Sequence, residues 1–423
     1  MKAGMSPASG RAALLGVLVA APVVVHAAVL GHMAPAEALT EARVASLPAA
    51  EQGVWTAYLA RSRMLLEADK AALAAERAPL ASAAPTGAAA AGTVFPPAPA
   101  AKGGGDGGMP RNRPAAWYAT PEARHVAGNI VSFQTPAGGW GKNVDRGGPI
   151  RQKGQHYAAF EGKESWNFIG TIDNNATTSE IRFLARVQAQ APGAAGDAYR
   201  SSALKGVSYL LNAQYPNGGV PQVYPLQGGY HDAITFNDDA FALVLQLLLD
   251  VAARKGDYGF IPEAVAADAR VAADKAVKVA LASQIVINGV RTGWCQQHDA
   301  LTLAPVGARN FEPVALSSFE TAKLLMVLMQ LPDPSPEVKA AVSAGVEWLQ
   351  RVAMPNSGAA TSGNAQIWAR LYDLQTMKPI FGDRDRSIHD DVKEISEERQ
   401  KGYGWFGSGP AKAIQAYAAW PRK

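Results

Sequence analysis

Three stretches of this chain repeat one another: NIVSFQTPAGGWGKN (129–143), YLLNAQYPNGGVPQV (209–223) and VALASQIVINGVRTGWCQQHD (279–299). Each reads as the apolar end of a helix, then a glutamine (Gln134, Gln214 or Gln284), then a glycine-containing turn and an aromatic or aliphatic residue. The glycines suit left-handed C-caps. Each turn leads through a polar loop into a second helix, in TIDNNATTSEIRFLARV (171–187), TFNDDAFALVLQLLLDV (235–251) and EPVALSSFETAKLLMVLMQL (312–331). Thr177-x-x-Glu180 and Ser317-x-x-Glu320 have the spacing of capping boxes. A period of roughly 70–80 residues is long for a solenoid unit but suits a helix pair with long loops. Three such pairs predict a mainly α, closed toroid. Its polar loops collect on one face and line a groove there.

Outward from the repeats the chain is uneven. Residues 1–27 carry Lys2 and Arg11, an apolar run over 12–25 and the small-x-small ending Val25-His26-Ala27. That is the pattern of a secretory signal peptide, and it implies a secreted or periplasmic protein. No other stretch reads as a membrane span. Residues 28–80 are Ala-rich, with Trp55, Leu59, Met64, Leu65, Ala68 and Leu73 at helical spacing. They predict one or two helices, docked on the main domain or serving a partner. Residues 81–114, rich in Ala, Pro and Gly, read as a flexible linker. Residues 115–423 form the main domain. Its end, after residue 370, mixes Gly, Asp and Arg with aromatics, which predicts a hairpin around 372–381, a short helix and a terminal helix over 410–420.

Composition excludes several classes. A net charge of +4 without any basic run gives no nucleic-acid signature. The single cysteine, Cys295, allows no intrachain disulfide and no cysteine-based zinc site. It reads as a small buried residue.

The residues able to carry chemistry fall into four groups. Asp173-Asn174-Asn175 and Asn237-Asp238-Asp239 each stand just before a helix. N-capping explains such residues, yet Thr177 already offers a cap and leaves Asp173 over. Carboxylates at equivalent places in successive repeats would meet at the mouth of the toroid, and an all-oxygen set of that kind suits Ca²⁺. Arg309 lies in the stretch 293–331, where Gln296, Gln297, His298 and Asp299 also concentrate. Arg384 and Arg399 lie in the irregular C-terminal part. Each arginine fits a surface ion pair or recognition of a carboxylate by the guanidinium fork. Asp383 and Asp385 flank Arg384 and offer to neutralise it. Lys142 reads as a loop lysine, and His231 and His298 as hydrogen-bonded loop residues.

Taken together, GGWGKN (138–143), IDNNATTSEI (172–181), NGGVPQVYPL (217–226), ITFNDDA (234–240), WCQQHDALTLAP (294–305), ARNFEP (308–313), YDLQTMKPIFGDRD (372–385) and EISEERQKGYGWF (394–406) resemble the family-ten polysaccharide lyases, the pectate lyases. The resemblance runs from about residue 115 to the C-terminus. It implies an (α/α)₃ toroid, in agreement with the repeats, and Ca²⁺-dependent β-elimination on polygalacturonate. By motif it implies Asp173 and Asp238 as metal ligands, Asp239 being the open alternative in its doublet. It further implies Arg309 as the base for the C5 proton and Arg384 and Arg399 as binders of uronate carboxylates. Asn174 and Lys142 are further substrate-binding candidates. Val220, where the family has tryptophan, and Gln227-Gly228-Gly229, in place of a basic turn, depart from the pattern.

The chemistry accounts for these residue types. A carboxylate beside C5 repels the developing carbanion, and cations on that carboxylate acidify C5–H. Arginine as a base requires its high pKa to fall, through burial and neighbouring cations. The partner expected is an acidic polysaccharide, the protein a monomer. Two other readings stay open: an (α/α) glycoside hydrolase using Asp173 and Asp238 as paired carboxylates, and a non-catalytic protein that binds uronate polymers.

Overall fold

Three outer helices each hand over to an inner one. In chain order, α1 spans Glu41–Ala45, α2 Ala49–Ser82, α3 Pro121–Ser132, α4 Thr178–Ala189, α5 Asp197–Ala213 and α6 Ala240–Ala252. They are followed by α7 at Glu263–Ser283, α8 at Ser318–Leu328, α9 at Pro336–Arg351, α10 at Glu397–Gly402 and α11 at Pro410–Ala419. This is a computed structural model, and it describes Met1 and residues 29–82, 95–101, 107–159, 168–355 and 366–421. The expected signal peptide falls outside the described residues.

The pairs α3/α4, α5/α6 and α7/α8 make the (α/α)₃ toroid that the repeats predict. Outer helices bury one stripe: α7 turns Ala266, Ala269, Ala273, Ala276 and Ala280 inward. Inner helices are buried on most sides, as Phe241, Val244, Leu245, Leu247, Leu248 and Val251 show for α6. Beyond the third pair the outer row continues in α9, and α11 packs on α8 and α9.

The repeated glutamines have one shared job. Gln134 Nε2 donates to Gly138 O and to Ser202 O of α5. Gln214 Nε2 donates to Gly218 O and to Ala272 O of α7. Gln284 Nε2 donates to Thr292 O and to Ala341 O of α9. Each glutamine therefore staples its own turn to the next outer helix. The expected glycine C-caps are corrected here. The helix ends are Phe133, Gln214 and Gln284. Gly138 (φ +106°) and Gly218 (φ +107°) lie four residues past the glutamine, where a Cβ would come within 2.6 Å of Lys205 O and 2.4 Å of Lys275 O. Close approach to the next helix, and not capping, demands glycine.

Trp140 Nε1 donates to Ile130 O, and Trp294 Nε1 to Ala280 O. Trp368 Nε1 donates to Leu349 O in the same way, which marks α9 as the start of a fourth, partial repeat that the sequence comparison missed. Short antiparallel pairs tie each polar loop to the next: Thr171 opposite Val223, Thr235 opposite Gln297, and Ser317 opposite Leu371. These pairs draw the loops before α4, α6 and α8 onto one end of the toroid.

The capping boxes do not form. Thr177 (φ +62°) makes no cap; its hydroxyl donates to Thr171 O and accepts from Trp140 N. Ser317 caps nothing and bonds to Glu320 instead. Glu180 and Glu320 are taken by arginines.

The 28–80 segment is docked. Trp55, Tyr58, Leu59 and Leu73 are buried, while Met64, expected in the stripe, is exposed. Tyr58 Oη donates to Ala213 O, Asp69 Oδ1 accepts from Ala137 N, and Glu76 takes both Nη1 and Nη2 of Arg151. In α1, Arg43 Nη2 reaches Asp299 Oδ2 at 2.6 Å. The predicted flexible linker is also corrected. Its residues 83–94 and 102–106 are outside the described set, but 95–101 and 107–114 are fastened to the main domain. Ala98 N donates to Ala158 O, Ala101 N to Asn143 O, Asp145 N to Pro99 O and Arg146 N to Gly107 O. The C-terminal hairpin forms as a bridge between Tyr372 and Pro379, followed by Phe381–Gly382 paired with Ser387–His389.

Candidate active site

Two tight turns stand at the entrances of α4 and α6. Asp173–Asn175 and Asn237–Asp239 are each a 3₁₀ turn whose second and third residues have positive φ: Asn174 (51°) and Asn175 (63°), Asp238 (50°) and Asp239 (63°). Asn and Asp tolerate that conformation better than other L-residues. The overlay of the turns corrects the expected equivalence of the two aspartates. Asp173 matches Asn237, and Asp238 matches Asn174, one residue later. The two carboxylates thus approach one another from unlike positions.

Asp173 is buried at 5 % exposure. Its Oδ2 is paired with Lys142 Nζ, and its Oδ1 is buried with no hydrogen-bond partner. Asp238 Oδ1 accepts from Arg370 Nη2 at 3.1 Å. Burial pushes the Asp238 carboxyl up to about 6, with Asp173 and Glu320 adding and Arg370 and Arg309 opposing. Asp239 is also pushed up to about 6, by burial and then by Glu320. Asp238 feels both Asp173 and Arg309, whereas Asp239 feels Glu320 and Lys323. An orphaned carboxylate oxygen beside a second carboxylate of raised pKa fits a cation. Among the described residues, however, no three His, Cys, Asp or Glu side chains converge as a complete metal cage.

Arg309 lies on the same face, at the end of a hydrogen-bonded chain. Its Nε donates to Glu312 Oε2 at 2.8 Å and its Nη2 to Glu312 Oε1. Tyr403 Oη donates to Glu312 Oε1 at 2.9 Å and meets Gln296 Nε2 at 3.1 Å. Gln296 Nε2 reaches Asn237 Oδ1 at 2.8 Å and Glu320 Oε1 at 3.2 Å. Arg370 Nη2 closes the chain on Glu320 Oε1 at 3.0 Å and on Asp238. The expectation that the Arg309 pKa falls is not met. Burial lowers it, but the bidentate Glu312, with Tyr403 and Asp238, outweighs burial and holds it above its ordinary value.

Arg309, Arg384 and Arg399 converge on one ring. Their guanidinium carbons lie 4.9, 5.0 and 4.4 Å from the centre of Phe311, within cation–π range. Glu398 bridges Arg384 and Arg399, and those two arginines hold its carboxyl down to about 2. Asp383 and Asp385 do not neutralise Arg384: Asp383 binds Ser396 and Asp385 binds Ser387. The Arg384 side chain is 59 % exposed, that of Arg399 only 6 %. Arg399 therefore supports the cluster from below, and Arg384 faces solvent.

Asn174 Nδ2 donates to Asn143 Oδ1, next to Lys142. His298 is buried, its Nε2 accepting from Cys295 N and its Nδ1 facing Leu303 O; burial drives its pKa down to about 4. His231 is likewise lowered to about 4, by burial first. Burial raises the Cys295 thiol.

Arg370 was missed. It sits between Asp238 and Glu320, with its guanidinium carbon 4.6 Å from the Tyr403 ring centre and 5.4 Å from that of Phe319. The signal was a lone charge in the apolar run IWARLY (367–372), because a buried arginine needs carboxylate partners. A cavity of about 780 Å³ opens beside Asp238, lined by Asn143, Asn174, Asp239, Phe319 and Arg370 among others.

The family model for pectic acid lyases matches residues 134–414. Two solved structures are similar. One is a family 10 polysaccharide lyase from Cellvibrio cellulosa, 33 % identical, with a TM-score of 0.63, covering 75 % of this chain and all of that one. The other is an aspartate-to-alanine mutant of a family 10 polysaccharide lyase from the same organism, in complex with trigalacturonic acid. It is 33 % identical, with a TM-score of 0.64, and covers 72 % of this chain and 95 % of that one. No curated protein matches the chain. No described helix is long and apolar enough to cross a membrane.

Proposed function

The chain belongs to the pectic acid lyase family and is a polysaccharide lyase, and from that premise we propose that it cleaves polygalacturonate by Ca²⁺-dependent β-elimination. The observation that carries this reading is the buried, partnerless Oδ1 of Asp173 on the face it shares with Asp238 and Arg309. Asp173 and Asp238 would hold Ca²⁺, with substrate oxygens completing the set. When bound, the ion would share the charge of the uronate carboxylate and make C5–H more acidic.

The chain's own residues do the rest. Arg384, exposed above Phe311, takes a uronate carboxylate in a bidentate grip. Arg399 holds Arg384 in place through Glu398. Asn174 and Lys142 contact the sugar beside Asp173. Arg309 removes the C5 proton, the C4–O bond breaks, and the departing sugar oxygen takes up a proton. The product is a 4,5-unsaturated uronide. For this, Arg309 must leave Glu312, whose charge otherwise keeps it protonated. Tyr403 and the backbone N–H of Arg309 remain as donors to Glu312. Glu312→Gln is therefore expected to move the rising limb of the activity profile, set by deprotonation of Arg309, to lower pH. An unmoved limb contradicts the opening of the pair.

The protein is further taken to be exported, on the charged and apolar pattern of residues 1–27. The direct test of the reaction is turnover of polygalacturonate with and without a chelator. Unsaturated product that disappears on chelation and returns with Ca²⁺ is expected. Hydrolysis without an ultraviolet-absorbing product, or no turnover at all, overturns the reading.

A further inference from the structure

Outside the span that matches the family, one segment still walls the groove. The family match begins at residue 134, yet Ala100, Met109 and Arg111 line the cavity beside Asp238. The segment's described stretches, 95–101 and 107–111, are built into the fold. Ala100 bridges to Val144, Met109 is 6 % exposed, and Arg146 N donates to Gly107 O. The backbone is held on either side of the Pro110–Arg111 bond: Tyr118 Oη donates to Pro110 O at 3.0 Å, and Arg186 Nη1 donates to Arg111 O.

Two arginines line this cavity. Arg370 is engaged with Asp238 and Glu320. Among the described residues no carboxylate pairs with Arg111. Arg111 is thus an exposed cation on the cavity wall whose main chain is held, and it is placed to meet an anionic ligand. Across the cavity, Asn174 offers the amide a sugar hydroxyl would bind, and Phe319 offers an apolar face. At about 780 Å³ the space lies within the roughly 300–1,000 Å³ usual for small-ligand sites.

We propose that the 107–111 stretch supplies a distal subsite, in which Arg111 binds the carboxylate of a uronate residue further along the polymer than the one cleaved. This rests on the lyase reading above. Such a contact acts on binding and not on the reacting bond. It matters only for oligomers long enough to reach it.

The experiment is steady-state kinetics on a ladder of oligogalacturonates in Ca²⁺, with equilibrium binding of the longest oligomer measured beside it. Arg111→Gln is expected to raise KM about tenfold for the long members, as for one lost charge-assisted hydrogen bond. The shortest cleavable member and kcat should be unchanged, and Arg111→Lys should restore part of the loss. Arg124→Gln, an exposed arginine of α3 that does not line the cavity, should change nothing. Equal KM for Arg111→Gln and the unaltered protein at every length overturns the proposal, and so does an equal loss at every length. Absence of unsaturated product from the unaltered protein would instead sink the lyase reading. The binding titration then still decides the subsite, since unchanged affinity for Arg111→Gln overturns it.

Discussion

Two arginine–glutamate pairs stand at corresponding places in the molecule, and they behave differently. Glu180 and Glu320 are each the third residue of an inner helix, α4 and α8. Glu180 Oε1 takes both Nε and Nη2 of Arg146, and the two side chains are 3 % and 0 % exposed. That pair involves no second carboxylate: Arg146 Nη2 also donates to Gly141 O, its Nη1 and Glu180 Oε2 are buried without a hydrogen-bond partner, and burial lowers its pKa. Glu320 is as deeply buried, but its Arg370 also reaches Asp238 and stacks on Tyr403. The first pair braces the fold beside the loop of Lys142. The second ties a potential metal ligand to the network that ends at Arg309. The same construction serves stability where its arginine meets one carboxylate and serves the site where its arginine is shared between two.

The contrast can be broken by substitution. Arg146→Ala leaves Glu180 buried and unpaired, and a loss of roughly 3–5 kcal/mol is expected in denaturant unfolding, with turnover per folded molecule retained. Arg370→Gln should do the reverse. A fall in kcat of about a hundredfold is expected, in line with removing one preorganised charge from an active site, with a smaller shift in Tm. If Arg146→Ala proved the worse catalyst per folded molecule, the two pairs would not differ in kind.

A third, smaller effect sharpens the comparison through pH. The folded Asp238 pKa, about 6, lies above its ordinary value of 3.8. The protonated group therefore favours the fold. That contribution is full below about pH 4 and is lost as pH rises through about 6. Asp238→Asn is thus expected to be more stable than the unaltered protein at pH 8, by roughly 2 kcal/mol when chelator is present, and to gain nothing at pH 4. It should also lose turnover. A variant destabilised equally at both pH values would show that Asp238 carries no strain of this kind.

Much of the fold was legible because it repeats. The glutamine of each outer helix end and the apolar inner helices could be counted off the chain. What the glutamines do was not legible: a side-chain amide reaching Ser202, Ala272 or Ala341 lies 57 to 68 residues away in sequence. The capping boxes failed because Glu180 and Glu320 have stronger partners than a helix N-terminus, and those partners are distant. The linker failed because small residues bind through their backbone, which composition does not report. In the site, the motifs singled out Asp173, Asp238, Arg309 and Arg384 as candidates. They gave no hint that Glu312 clamps Arg309 or that Arg370 joins Asp238 to Glu320, since both depend on three-dimensional closure.

The claim at the centre is that Arg309 takes the proton while Asp173 and Asp238 anchor the charge. The measurement that meets it most directly is unsaturated-uronide formation by Arg309→Ala on polygalacturonate in saturating Ca²⁺, with polymer binding followed in parallel. Binding kept and product abolished is the predicted result. Product formed at an undiminished rate would contradict it.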